Sequence, residues 1–350
     1  TCPSQLEKAT TMTDYSTLGL SRRLFVQSAL LAAAIPSAWA NDDPCRGLQP
    51  RPDDSGLAFG TFGEGSTAEE VTRSLNLDGL TAVVTGCNSG LGYETMRVLA
   101  MRGAHVVGTA RNMEKAQKAC STIAGKTTPV VLELSDFSSV RAASKTITEM
   151  NIAVDMLICN AGIMALPELQ LVNGLERQFV VNHLGHFVFV NGLVDAVMRA
   201  DRGRIVMLSS CAHQLAPPEG VDFDNLDGSK SYEGWTAYGR SKLANGLFAA
   251  ELSRRIEETG VTVNSVHPGV IKTKLARHLP GSENRKADDD RFNKSIPQGA
   301  ATQCYVAANP IPANITGQYF ADCNPARANP LMYDEQLADR LWSVSEKLTS

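Results

Sequence analysis

Four polar residues of this chain have the types and spacing to move a proton to or from an oxygen: Asn182, Ser210, Tyr238 and Lys242. Tyr238-Gly-Arg-Ser-Lys242 sets a phenol and an ammonium four residues apart, hence on one face of a helix. A free phenol titrates near pH ~10, so it serves as acid or base near neutrality when a cation beside it stabilises the phenolate. That spacing also occurs as an ordinary exposed pair, so its neighbours matter. Ser209 and Ser210 end an apolar β-rich run, where a hydroxyl could hold a substrate oxygen against the phenol. Asn182 lies in a preceding helix-like stretch, where a buried amide needs a partner and could hold a water linking Lys242 to solvent.

A second constellation lies upstream. "VVTGCNSGLGYETM", residues 83–96, runs from β-branched residues through Gly86, Gly90 and Gly92 into a helical stretch. Such a turn lets backbone approach a pyrophosphate, whose charge is met by amide N–H groups and the positive helix end. On its own it could be no more than a tight turn. Nineteen residues beyond Gly92, where an NAD enzyme would place an acid against the ribose 2′-hydroxyl, stand Ala110 and Arg111. A guanidinium there pairs with a 2′-phosphate, which favours NADP(H) over NAD(H).

The elements that must position these groups alternate. Apolar β-rich runs recur at 81–85, 105–109, 130–134, 156–159, 204–209 and 261–266, with a seventh expected at 317–320. Helical stretches lie between them, including one long helix over 175–200 and another over 238–260. The pattern predicts an α/β fold, a doubly wound Rossmann-type parallel sheet of about seven strands covered by helices on both faces, three layers in all. A ligand would sit at the carboxyl ends of the strands, where the strand order reverses.

The first 65 residues are organised differently. Met12 opens a segment with Arg22 and Arg23 after Ser21, an apolar run from about Ala29 to Ile35, and the small-residue site Ala38-Trp39-Ala40. Ser21-Arg22-Arg23-Leu24-Phe25 resembles a twin-arginine signal, which would export the protein to a periplasm or its equivalent; residues 1–11 would be an upstream extension. An uncleaved anchor, a buried helix and a cytoplasmic location are the alternatives, and a cleaved signal would leave no stable membrane span. Residues 41–65, rich in Pro, Gly and Asp, read as a linker, and residues 66–350 as a single domain. Ser66 with Glu69 has capping-box spacing for a short lead-in helix.

Composition excludes other classes. The net charge of -4 and the absence of any basic stripe give no reason to expect nucleic acid. The eight cysteines form no CxxC pair and read as mostly buried thiols. His183, His186, His213 and His267 read as packing or capping groups rather than metal ligands, because no carboxylate cluster accompanies them, so no metal is expected. Ser210 has no GxSxG elbow to make it a hydrolase nucleophile.

Taken in order, TGCNSGLG at 85–92, CNAG at 159–162, Asn182, Ser210, Tyr238 with Lys242, and Pro268-Gly269 followed by Thr273 resemble the short-chain dehydrogenase/reductase superfamily over residues 66–350. "VNHLGHF" at 181–187, "SSCAH" at 209–213 and "VHPGV" at 266–270 are similar to its retinol-dehydrogenase-like branch, and "FGEGSTAEEV" to the lead-in of the WW-domain oxidoreductase. The resemblance implies that Tyr238 is the proton donor or acceptor, that Lys242 lowers its pKa and contacts the nicotinamide ribose, that Ser210 orients the substrate and that Asn182 completes the relay. It implies cofactor contacts at Gly86, Asn88, Ser89, Gly90, Leu91 and Gly92 in the turn, and at Arg111, Glu133 and Leu134 around the adenosine. Asn160, Ala161 and Gly162 would line the cofactor after the fourth strand, and Pro268, Gly269 and Thr273 would border its nicotinamide half. Cys159 and Glu133 depart from the usual asparagine and aspartate.

The implied activity is hydride transfer between NADP(H) and a carbonyl or alcohol of a lipophilic small molecule, retinoid-, steroid- or aldehyde-like, by a chain that could pair as a homodimer. The alternative is a dinucleotide-binding scaffold or sensor without catalysis.

Overall fold

The computed structural model describes residues 60–278 and 294–350. The segments expected to be an export signal and a linker, up to residue 59, and residues 279–293 lie outside the described residues.

The main sheet has eight strands in the order β3-β2-β1-β4-β7-β8-β9-β10. They are β1 (Thr81–Val84), β2 (His105–Ala110), β3 (Thr127–Val131), β4 (Met156–Cys159), β7 (Arg204–Leu208), β8 (Thr262–His267), β9 (Tyr319–Ala321) and β10 (Asn324–Pro325). Every neighbouring pair is parallel except β9–β10, a short antiparallel return. A separate two-residue hairpin, β5 (Leu171–Val172) with β6 (Leu175–Glu176), stands apart.

Both faces of the sheet are covered, which is why its strands read as unbroken apolar runs. Ala82, Val84, Val106, Ile158, Val206 and Phe320 face one core, under the helices Gly90–Met101 and Ala301–Ala308. Val83, Val107, Leu157, Ile205 and Val263 face the other, under Phe137–Glu149 and Gly185–Asn191. This is the expected doubly wound, three-layer arrangement. From β1 the chain runs outward to β2 and β3, then returns to β4 on the other side of β1, so the crevice lies between the carboxyl ends of β1 and β4.

Three local expectations shift. β3 begins at Thr127 instead of residue 130; Thr127 and Thr128 pair with Val106 and Val107, and Pro129 is tolerated because β3 is an edge strand. The lead-in helix, Ala68–Val71, is capped by Thr67 with Glu70 rather than by Ser66 with Glu69, and Ser66 instead accepts a hydrogen bond from Gly63 N–H. The stretch 175–200 is not one helix. It opens as β6, continues through a helical turn, Arg177–Phe179, and a π-turn, Val180–Leu184, and then becomes the helices Gly185–Asn191 and Val194–Met198.

Candidate active site

The glycine turn is shaped by contacts that exclude side chains. Gly86 and Gly90 have φ of 75° and 61°, a region costly for other residues. A Cβ on Gly92 would lie 2.4 Å from Gly86 O and 2.5 Å from Asn160 Nδ2, so the helix Gly90–Met101 can approach the turn only with glycine there. Ser89, its N-cap, makes no side-chain capping bond, and the first helical turn carries no acid, leaving amide donors and a positive helix end for an anion. From β4, Asn160 Nδ2 donates to Thr85 O at 2.8 Å and Ala161 N–H to Thr85 Oγ1 at 2.9 Å. Bare backbone at Gly86, Gly92 and Gly162 thus forms a cradle that any Cβ would narrow, and it fits a dinucleotide.

The catalytic candidates meet where that cradle ends. A Cβ on Gly162 would lie 3.1 Å from Asn182 Oδ1 and 3.6 Å from Lys242 Nζ. Tyr238 and Lys242 lie in the helix Gly234–Arg255, which Glu233 caps through the N–H groups of Trp235 and Thr236. All its residues from Ala237 to Ser253 are buried, so the phenol and the ammonium are held rigidly. Lys242 Nζ donates to Leu208 O at 3.0 Å and sits 5.6 Å from the centroid of the Tyr238 ring. Ser209 Oγ donates to Lys242 O at 2.7 Å, fastening the end of β7 to the helix. Ser210 caps the turn Cys211–Leu215, with its hydroxyl close enough to the Tyr238 phenol to favour the phenolate.

Burial sets the electrostatics. It raises the Tyr238 phenol above its ordinary range, against a smaller opposing effect of the Ser210 hydroxyl, so the group is protonated at neutral pH. It lowers Lys242 to about 8, which leaves the ammonium charged at pH 7 but close to release.

Asn182 is buried and braced from two elements. Its side chain is largely engaged by protein groups: Oδ1 accepts from Ile163 N–H at 2.9 Å, which leaves it one lone pair, while Nδ2 donates to Ile163 O and Ser241 Oγ, both at 2.9 Å. Asn182 lies within the π-turn, in which Gly185 N–H reaches back to Val180 O, and its main-chain carbonyl meets His186 Nδ1 at 3.0 Å.

The remaining candidates are spread along the cleft. Thr273 stands over Gly90, 3.7 Å from where a Cβ would be. Asn88 is exposed, Leu91 is half-buried, and Arg111 is exposed at the end of β2. One Glu133 carboxylate oxygen accepts from the Ser135 N–H and hydroxyl, and Leu134 packs on Gly185. Pro268 and Gly269 follow β8, and the stem of Lys294, ion-paired with Asp322, covers Gly269. Sequence reasoning missed Lys294 and the two residues that brace the relay, Ser241 and Thr85. Ser241 had a visible signal, lying between Tyr238 and Lys242; Lys294 had none.

The histidines behave as packing and capping groups. His213 donates from Nδ1 to Ser210 O and accepts at Nε2 from Asn329 N–H at 2.9 Å, and His267 Nδ1 accepts from Cys211 N–H at 3.1 Å. Among the described residues no cluster of His, Cys, Asp and Glu could hold a metal ion, and Cys87, Cys120, Cys159, Cys304 and Cys323 are free and buried.

A glycine turn, a Tyr–Lys helix and a serine at the end of β7, set around one crevice of a doubly wound sheet, define a nicotinamide-dependent oxidoreductase site. The sequence model of the short chain dehydrogenase family matches residues 80–223 and 225–284, and the chain belongs to that family, in its retinol-dehydrogenase-like branch. It is 44% identical over 300 residues to short-chain dehydrogenase TIC 32 A, chloroplastic, of Brassica napus, covering 82% of this chain and 94% of that one. It is 38% identical to human retinol dehydrogenase 11 over 279 residues, 78% of this chain and 87% of that one. A crystal structure of an uncharacterized protein from Mycobacterium paratuberculosis matches with a TM-score of 0.66 and 32% identity, covering 81% of this chain and 97% of that one. A structure from Beutenbergia cavernae, assigned as an NAD(P)-dependent gluconate 5-dehydrogenase with NADP bound at low occupancy, matches with a TM-score of 0.57 and 25% identity over 71% of this chain and 96% of that one.

Proposed function

We propose that the chain is an NADP(H)-dependent dehydrogenase/reductase acting on a carbonyl or alcohol of a lipophilic small molecule. The observation that carries this is the convergence of Asn182 and Lys242 on Gly162, with the Tyr238 ring 5.6 Å from Lys242 Nζ and Ser210 beside the phenol, at the end of a cradle suited to a dinucleotide. When bound, the nicotinamide would supply or take the hydride. The chain's own groups do the rest: Ser210 holds the substrate oxygen, the Tyr238 phenol gives or takes its proton, and Lys242 stabilises the phenolate. The Asn182 carbonyl is available to a water that would replenish the proton through Lys242.

Two observations support NADP(H) over NAD(H). Arg111 stands where a 2′-phosphate would be met, without an acid in the adjoining strand end. Arg277, from the turn Lys274–His278, is held below its ordinary pKa by partial burial, then by the guanidinium groups of Arg111 and Arg177, so it lies on the Arg111 side of the cleft. An apolar group beside Tyr238 supports a lipophilic substrate: the Trp235 ring lies edge-on at 6.1 Å. The similarity to a retinol dehydrogenase points the same way.

The test is steady-state kinetics with NADPH and NADH over retinal, steroid ketones and alkyl aldehydes. NADPH is expected to be preferred at least about tenfold, with Arg111→Ser erasing most of that preference. Tyr238→Phe should lower kcat about a hundredfold or more while leaving NADPH affinity nearly unchanged. A preference for NADH would remove the role of Arg111, and undiminished turnover in Tyr238→Phe would refute the relay. NADPH binding without turnover across the panel would favour the scaffold reading.

Export by the Ser21–Phe25 signal is part of the proposal, and cell fractionation with N-terminal sequencing tests it; cytoplasmic protein retaining residues 12–40 would refute it. Among the described residues no helix is long and apolar enough to cross a membrane. A homodimer is likewise proposed, testable by sedimentation equilibrium; its interface would lie away from Ala237–Ser253, which one chain already buries.

A further inference from the structure

We propose that His186 is a positioning residue that ties the cofactor turn to the Asn182 end of the proton relay through a hydrogen-bond chain of fixed direction. The ring is wholly buried, one helical turn beyond Asn182 and just past the π-turn. Its Nδ1 lies 3.0 Å from Asn182 O and its Nε2 3.1 Å from Thr85 Oγ1.

The direction follows from valence. A carbonyl oxygen can only accept, so Nδ1 carries the hydrogen. Nε2 is then a bare lone pair, and the Thr85 hydroxyl must donate to it. The Thr85 oxygen is left to accept from Ala161 N–H, as its 2.9 Å contact shows. The chain therefore runs from Ala161 N–H through Thr85 and the neutral imidazole to the Asn182 carbonyl.

Both ends of this chain are at the site. Thr85 precedes Gly86 and its own carbonyl is held by Asn160, so a shift of the cofactor turn moves the hydroxyl that His186 reads. At the other end the Asn182 side chain clamps Ile163 and Ser241, and the Asn182 carbonyl offers two lone pairs, of which the imidazole takes one and leaves one for the relay. Loss of the imidazole would leave that peptide free to tilt within the π-turn, where the ladder cannot hold it as firmly as in an α-helix. The inference rests on the dehydrogenase reading for its kinetic consequences, but its cofactor-binding consequence does not require turnover.

The test separates the two ends. An asparagine side chain places its amide near the position of Nδ1, and a glutamine side chain reaches toward Nε2. His186→Asn is expected to weaken binding of whichever dinucleotide the wild-type chain prefers by about fivefold, the worth of one hydrogen bond, with kcat nearly unchanged. His186→Gln is expected to lower kcat by about fivefold and shift the pH dependence of kcat, with dinucleotide affinity nearly unchanged. Thr85→Val, nearly isosteric and leaving His186 in place, should reproduce the binding loss, and the His186→Asn/Thr85→Val double variant should bind no more weakly than either single one.

Fluorescence titration gives the affinities even if no substrate is turned over, in which case the dehydrogenase reading falls while the binding comparison still decides this inference. Thermal unfolding of each variant distinguishes positioning from fold loss. Should the His186 variants fail to fold, nitrogen-15 NMR of the wild-type ring decides, because Thr85→Val also strips the acceptor from Ala161 N–H: a neutral ring with its hydrogen on Nδ1, perturbed at Nε2 by the dinucleotide, is expected, and a hydrogen on Nε2 would overturn the proposal. Unchanged affinity in Thr85→Val, strictly additive effects in the double variant, or variants altered only in thermal stability would overturn the proposal.

Discussion

Four buried histidines should make this protein acid-labile well above the range of ordinary carboxylate titration. Burial lowers His183 to about 3, His186 to about 4, His213 to about 4 and His267 to about 3. Second causes act on some of them: His186 on His183, and Lys294 with His213 on His267. The geometry independently requires neutral rings at three sites, because His186, His213 and His267 each use a bare nitrogen as an acceptor.

The sign follows directly. In the unfolded chain a histidine titrates near pH ~6.5, so as pH falls below that value the unfolded state binds protons that the folded state refuses, and stability present above pH ~6.5 is progressively lost. Between pH 7.5 and pH 5.5 each group contributes a loss of about 1.3 kcal/mol, and the four together about 5 kcal/mol, a large share of an ordinary domain's stability. Glu176 and Asp155, both raised by burial, oppose this loss in the lower part of the range. Chemical denaturation at the two pH values and equal ionic strength measures the difference. A change under about 1 kcal/mol, or ring protons of His183, His186, His213 and His267 titrating near pH ~6.5 by NMR, would refute the assignment. The acid limb of any activity profile would then have to be read as loss of fold before it is read as titration of Tyr238.

Other consequences follow from single contacts. Gly92→Ala places a Cβ 2.4 Å from the Gly86 carbonyl, so the turn must open; dinucleotide affinity should fall by about tenfold or more with a stability loss of about 1–3 kcal/mol, measured by titration and denaturation. Lys242→Met should abolish turnover yet raise stability at pH 7 by about 2 kcal/mol, since it removes a buried charge whose pKa burial has lowered to about 8; a destabilised variant would show that the bond to Leu208 O matters more. Glu176→Gln leaves Arg240 without its buried counter-charge 3.6 Å away and should cost about 3 kcal/mol in denaturation; a cost under about 1 kcal/mol would mean that the bond from Arg240 to Asn225 O suffices.

What could be read from the sequence, and what could not, divides by range. Tyr238 and Lys242 share a face through local helical geometry, and Gly86, Gly90 and Gly92 carry their conformational demands in their own identity, so both motifs were legible in the chain. The lead-in cap was ambiguous locally, because Ser66 with Glu69 and Thr67 with Glu70 have the same spacing; in the fold Glu69 is paired with Arg97, 28 residues away, and Glu70 closes the box. The π-turn was invisible for a similar reason. Residues 175–200 have helical apolar spacing throughout, but Asn182 is drawn to Ile163 and Ser241, 19 and 59 residues distant, and a Cβ at Gly185 would stand 2.4 Å from Leu134 O.

The same division explains the histidines. His186 stands four residues after Asn182, a local spacing that already puts the ring over the Asn182 carbonyl, yet only the fold brings Thr85 to its other nitrogen from 101 residues upstream. The groups proposed to carry the chemistry are thus identifiable from residue type and short spacing. The groups that hold them at the right distance are ordinary residues whose roles exist only through long-range contact, and substitutions at Thr85, His186 and Ser241 are where cofactor affinity and turnover should first come apart.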